Sequence, residues 1–261
     1  MTNPDGRRPV ALVTGGSRGV GASTAVQLAQ RGYDVVVTYR NKAARAEEVV
    51  AKVEAAGGQG FAIGGDMTVA ADREALAGAV DGWAGRLDLL VLNASGGLER
   101  DIVTANPDYP MTINRDAQVA TLDAVLPLLA DAPGGGTVVF VTSHWAHLYG
   151  RVEQLPAYDP VASSKHAGEQ ALRARLDELS SRNVRLAVIT GDLIEGTITP
   201  KLLERAMPGM TAEAKDRAGR LPTTEDMASA IVGAATDRSM PTGETVVVGG
   251  ALESLPPLAT A

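Results

Sequence analysis

The sequence predicts a doubly wound α/β fold, in which one parallel sheet of about seven strands is sandwiched between two layers of helices. Three observations predict it. Short apolar, β-branched runs alternate with amphipathic helical stretches along the whole chain. Most of those runs are continuously apolar rather than alternating, as parallel strands covered on both faces must be. No internal repeat or long linker interrupts the series, and 261 residues suit one such domain, since α/β folds reach about 250 residues as a single unit.

Taken in order, strands are expected at 10–13, 35–39, 60–63, 87–92, 137–142, 185–190 and 244–248. Helices are expected at 20–31, 43–56, 71–83, 116–129, 160–180 and 224–235. Gly32 and Gly57 follow the first two helices as C-terminal stops, because glycine accepts the left-handed conformation that ends a helix. Thr223 or Thr224 caps the last helix, with Glu225 and Asp226 in its first turn. Asp159-Pro160 reads as an N-cap followed by proline at the first helical position. Residues 194–219, amphipathic and bearing Met and Leu, read as a lid, and the Pro-Pro segment after Gly250 as an exposed tail.

Composition narrows the function. The chain has no cysteine, which excludes a disulfide framework, a thiolate nucleophile and Cys-based metal sites. Its 31 acidic and 24 basic residues give a net charge of −7 with no concentrated basic patch, so a nucleic-acid partner is not expected. The first apolar run is too short for a secretory signal, and no run approaches the roughly 20 residues that span a bilayer. A cytoplasmic protein acting on a small molecule, away from membranes, is expected.

The first strand runs into Thr14-Gly15-Gly16-Ser17-Arg18-Gly19-Val20-Gly21 and then a helix. Small residues there let backbone amides and the helix N-terminus approach a diphosphate. The T-G-x-x-x-G-x-G spacing resembles the short-chain dehydrogenase/reductase family, and the resemblance extends over nearly the whole chain. It implies a Rossmann-type sheet that binds a nicotinamide coenzyme through this loop. It further implies that Asp66 and the adjoining Met67 meet the adenine, that Asn93-Ala94-Ser95 lies against the coenzyme, and that Gly191 and Thr197 cover its nicotinamide and phosphates. By the same resemblance Ser143 orients the substrate, Lys165 binds the nicotinamide ribose, and Asn114 holds a water of the proton relay. A homodimer or homotetramer is implied as well.

Which coenzyme is bound is read from the end of the second strand. An NAD site usually carries a carboxylate there for the ribose 2′-hydroxyl. Tyr39, Arg40, Asn41 and Lys42 stand there instead. Arg40 with Arg18 can pair with a 2′-phosphate, so NADPH is expected over NADH.

The family's tyrosine stands four residues before its lysine, and here that position is Val161. The nearest tyrosine, Tyr158, is seven residues before Lys165. Seven helical residues advance about 700°, roughly 20° from two full turns, and rise about 10.5 Å. The spacing resembles the enoyl-thioester reductase branch of the family, whose tyrosine supports an enolate oxygen. Tyr149 is the second candidate acid. His144 and His147 lack a third ligand, so no metal is expected, and His144 is read as cleft-lining or packed. Three readings follow. Carbonyl reduction leads because it dominates the family; reduction of a conjugated C=C or a C=N bond follows from Tyr158 and Lys165; a redox-inert NADP-binding protein follows from Val161.

Overall fold

The computed structural model describes residues 6–258. Seven strands, β1 (Val10–Val13), β2 (Asp34–Tyr39), β3 (Gly60–Gly64), β4 (Leu89–Leu92), β5 (Gly136–Ser143), β6 (Val184–Gly191) and β7 (Glu244–Val248), form one parallel sheet. Their order is β3-β2-β1-β4-β5-β6-β7. The chain winds outward from β1 in one direction and from β4 in the other, so a crevice opens between their C-terminal ends.

Side-chain alternation divides the core in two. Leu12, Val36, Leu90 and Val138 face helices Ala70–Ala84, Ala117–Ala130 and Asp159–Arg173. Ala11, Val13, Val37 and Val139 face helices Gly19–Gln30, Ala43–Ala55 and Thr224–Thr236. A third cluster, with Trp145, Tyr158, Val161, Leu203 and Leu255, lies beneath helices Ile198–Ala206 and Met210–Ala218. No described helix is long and apolar enough to cross a membrane.

All seven expected strands are present, and so are the glycine stops, with φ of 93° at both Gly32 and Gly57. Thr223 is the last cap: its hydroxyl accepts from the Asp226 amide, and the Asp226 carboxylate accepts from the Thr223 amide. Four expectations need correction. The helix expected at 160–180 is two, Asp159–Arg173 and Leu176–Ser181, and the second starts with Asp177 and Glu178 in its first turn, where acids suit a helix N-terminus. Tyr158, not Asp159, is the N-cap, because the Asp159 carboxylate accepts from the Tyr149 hydroxyl instead of from helix amides. The helix expected from 116 is preceded by a π-turn at Thr112–Asp116. The Pro-Pro segment is exposed as expected but is anchored rather than a free tail, since Leu255 before it is buried and the Glu153 amide donates to the Pro256 carbonyl.

The π-turn meets the helix Asp159–Arg173 at Gly168, where a Cβ would overlap the Asn114 carbonyl oxygen. This close approach carries Asn114 and Lys165 on adjoining elements. Gly168→Ala should therefore destabilise the fold by about 1–3 kcal/mol, the usual scale of overpacking. A urea midpoint equal to that of the unsubstituted protein would show that the two elements separate without cost.

Candidate active site

The glycine loop is held from below by two side chains. The Thr14 hydroxyl accepts from the amides of Asn93 and Ala94, both at 3.0 Å. The Asn93 side-chain amide donates to the carbonyls of Thr14 and Gly15. The ends of β1 and β4 are thereby fastened together. Gly15 and Gly19 have φ of 64° and 54°, the left-handed region that favours glycine. A Cβ on Gly21 would lie 2.6 Å from the Gly15 carbonyl and 2.7 Å from Asn93, so the helix can start this close to the strand only with glycine. No side chain caps that helix and its first turn holds no acid. Its first amides, with Ser17, Arg18 and Val20 around them, remain open to an anion. The cradle fits a dinucleotide diphosphate.

From this loop a cavity of about 790 Å³ extends past Tyr39, Arg40, Asp66, Met67 and Ser95. Lys42, Arg45 and Lys201 also line it. Asp66 is fixed by Thr68, whose amide and hydroxyl both donate to its carboxylate, and stands 3.9 Å from Arg40. Arg40 donates to the Tyr109 hydroxyl at 2.7 Å. Sequence reasoning missed Tyr109, which belongs to a three-residue helical turn with no periodic signal. Only the fold brings it across from the loop after β4 to the end of β2.

The second cleft, about 1140 Å³, is continuous with the loop through Arg18, Val20 and Asn93. Ser143, Tyr158, Lys165, Gly191 and Thr197 all line it. The Tyr158 hydroxyl donates to Ser143 Oγ at 3.1 Å, and Ser143 also accepts from the Ala146 amide. Among the described residues nothing accepts the proton of Ser143, which leaves it for a substrate oxygen. Burial pushes the Tyr158 phenol above its ordinary value of 10, and the bond to Ser143 opposes that rise. Lys165 Nζ donates to the Val141 carbonyl at 3.0 Å, and burial lowers its pKa from 10.5 to about 8. The lysine's charge is directed at Val141 and not at the phenol, and burial governs both groups.

Asn114 is fixed through its side chain. Its side-chain amide donates to Gly96 O and Ser164 Oγ and its oxygen accepts from Ser95 Oγ. Both of its N–H groups are thus committed, and it braces the loop after β4 against the lysine helix. Tyr149 is turned away from the cleft toward Asp159. His144 does not line the cleft: it is fully buried between the Thr190 hydroxyl and the Gly250 carbonyl. His147 bonds the buried carboxylate of Glu169. Trp145 and Val161 form apolar wall, as does the segment at 194–203.

The family model for short chain dehydrogenase matches residues 9–206. The chain belongs to that family. It is accordingly an NAD(P)-dependent oxidoreductase of the short-chain dehydrogenase/reductase type, and the redox-inert reading falls. It is 33% identical over 257 residues to 1-cyclohexenylcarbonyl-CoA reductase from Streptomyces collinus, covering 96% of this chain and 89% of the relative. The fold is that of 3-oxoacyl-[acyl-carrier protein] reductase from Brucella melitensis, with a TM-score of 0.81 at 24% identity over 94% of this chain and 97% of the other. A 7α-hydroxysteroid dehydrogenase complexed with NADH and 7-oxo glycochenodeoxycholic acid is similar at a TM-score of 0.80, with 26% identity and 93% of both chains covered. Four residues before Lys165, where the family resemblance implies a tyrosine, stands Val161.

The depressed pKa of Lys165 sets a pH dependence. The ammonium persists below about pH 8 and is lost above it. Coenzyme affinity should fall as pH rises through about 8, and Lys165→Met should bind more weakly at every pH without that step. Stability responds oppositely. The unfolded chain holds this proton up to about 10.5, so the lysine's contribution is complete above that value and is lost as pH falls through about 8. A binding step that survives in Lys165→Met, measured by fluorescence titration, would assign it to another group.

Proposed function

We propose that the protein uses NADPH to reduce the conjugated C=C bond of an α,β-unsaturated acyl thioester. The observation that carries this reading is the Tyr158–Ser143 hydrogen bond, made by a phenol whose pKa burial has raised and which no cation among the described residues touches. Such a phenol is a good neutral donor and a poor source of phenolate. Carbonyl reduction ends with an alkoxide that takes the tyrosine's proton, which would leave an uncompensated buried anion. Conjugate reduction asks only that the carbonyl oxygen be held while it gains enolate character. The similarity to a protein named 1-cyclohexenylcarbonyl-CoA reductase supports the same choice.

When bound, NADPH supplies the hydride that adds to the substrate's β-carbon. Ser143 donates its free hydroxyl proton to the thioester carbonyl oxygen, and Tyr158 behind it strengthens that donor. The electron pair of the C=C bond becomes the bond between the α-carbon and the carbonyl carbon, the carbonyl π pair moves onto the oxygen as the enolate, and on its collapse a solvent proton adds at the α-carbon. Lys165 holds the nicotinamide ribose. Trp145, Val161 and the cover at residues 194–219 keep water from the oxygen. Asn114 acts as a positioning residue for the Gly96 loop.

The preference for NADPH rests on the absence of a carboxylate at the end of β2 and on Arg40, Lys42 and Arg45 around the adenine end. Arg40, steadied by Tyr109, would pair with a 2′-phosphate bound beside it. We read the protein as one cytoplasmic domain that assembles as a homodimer or homotetramer, in keeping with the family resemblance.

Two measurements test this reading. Tyr158→Phe should lower turnover on an enoyl thioester on the order of tenfold, because Ser143 loses the phenol that strengthens it but keeps its own proton. Product analysis should find the saturated thioester. An allylic alcohol, or a hydroxy product from a ketone panel turned over faster, would move the chemistry to the carbonyl. Arg40→Met should cut the preference for NADPH over NADH on the order of tenfold or more, and Tyr109→Phe by a smaller factor in the same direction. Equal loss of affinity for both coenzymes would remove Arg40 from the phosphate site.

A further inference from the structure

The larger cleft is apolar within and cationic at its mouth. Leu98, Val103, Trp145, Leu202 and Leu203 line it, together with four cations, Arg18, Arg100, Lys165 and Arg205. Lys165 is committed to the Val141 carbonyl, and Arg18 belongs to the coenzyme loop. Arg100 and Arg205 remain. They open the helix Arg100–Ala105 and close the last turn of the helix Ile198–Ala206, both are exposed, and neither has an ion-pair partner among the described residues. The two acids of the cleft do not neutralise them: the Glu99 carboxylate accepts from the Gly97 amide, and Asp192 accepts from the Leu193 amide. Two free guanidinium groups at one opening are conspicuous in a chain of net charge −7.

We propose that Arg100 and Arg205 form a phosphate-binding rim, and that the acyl group reaches the cleft as a thioester of coenzyme A whose phosphates they hold. The proposal rests on the thioester reading above and names its substrate class. Guanidinium groups pair bidentately with phosphate oxygens, and the apolar interior takes the acyl chain. A carrier-protein thioester presents a single phosphodiester, whereas coenzyme A presents a diphosphate and a 3′-phosphate, enough anionic oxygens to engage two separate guanidinium groups.

The test separates the rim from the chemistry. With the protein saturated in NADP⁺, calorimetry should find free coenzyme A binding at least tenfold tighter than pantetheine, which has no phosphate. Added salt should shrink the difference. The double variant Arg100→Gln, Arg205→Gln should reduce it at least tenfold, and the Lys versions should retain most of it. Equal binding of coenzyme A and pantetheine, or an unchanged difference in the Gln variant, overturns the rim. The kinetic arm compares kcat/KM for an enoyl-coenzyme A and the same acyl group on N-acetylcysteamine, whose ratio should also fall in the Gln variant. Reduction of both thioesters at equal kcat/KM would sink the rim and leave the C=C chemistry standing. Arginine-dependent coenzyme A binding without reduction of any enoyl thioester would do the reverse. Arginine-dependent preference for the carrier-borne substrate would replace coenzyme A by the carrier.

Discussion

The structure depends on how closely the ends of β1 and β4 are joined. Thr14 and Asn93 exchange four hydrogen bonds, counting those to Ala94 and Gly15, across the point where the sheet's winding reverses. Every group assigned to the coenzyme or the substrate is placed relative to that junction. The glycine helix starts from one side of it and the Ser95–Gly96 loop from the other. Asn114 ties that loop to the helix carrying Lys165. The crevice between the strand ends is thus a consequence of topology, and its depth a consequence of Gly21, where any side chain would drive the helix away.

Burial then decides the chemistry of the ionisable groups placed there. Lys165 and Tyr158 are both nearly inaccessible, and each is shifted toward its neutral form. In most sites pairing a lysine with a tyrosine stabilises the phenolate; here the lysine faces the backbone of β5, and the tyrosine faces a serine. The pair therefore divides its work. The lysine's ammonium is turned to the Val141 carbonyl, and the phenol remains an intact donor behind the serine.

The strand pattern was legible because parallel strands buried on both faces must be apolar throughout, and most of the seven were found on that basis. The loop from Thr14 to Gly21 was legible because its spacing is a steric requirement that few other sequences meet. What the sequence did not disclose is set by contacts between distant segments. Tyr109 reaches Arg40 across the coenzyme groove, 69 residues away in the chain. His144 looked available beside Ser143, but the strand's direction buries it against Thr190 and Gly250. The segment at 255–258 looked like a tail because of its two prolines, although the Pro256 carbonyl accepts from the Glu153 amide, the Leu258 amide donates to the Arg151 carbonyl, and Leu255 packs beneath the cover. Asn114 was recognised by position alone, and position does not reveal that both hydrogens of its amide are already in use.

The displacement of the tyrosine from within the helix to its N-cap completes this picture. A side chain inside a helix points where the 3.6-residue period sends it. Tyr158 precedes the first turn, and its backbone amide is held by the Leu155 carbonyl at 2.8 Å, so the loop before the helix aims the ring at Ser143. The position it would otherwise occupy is filled by Val161, which is buried and packs toward Gly97. One change thus removes a hydroxyl from the cleft wall and adds an apolar surface in its place. Hydrogen-bond donors in a drier site act through a lower dielectric and stabilise a developing oxyanion more strongly. The loss of the in-helix tyrosine and the strengthening of the Ser143 donor are therefore two effects of a single arrangement, and both favour holding a negative oxygen over protonating it.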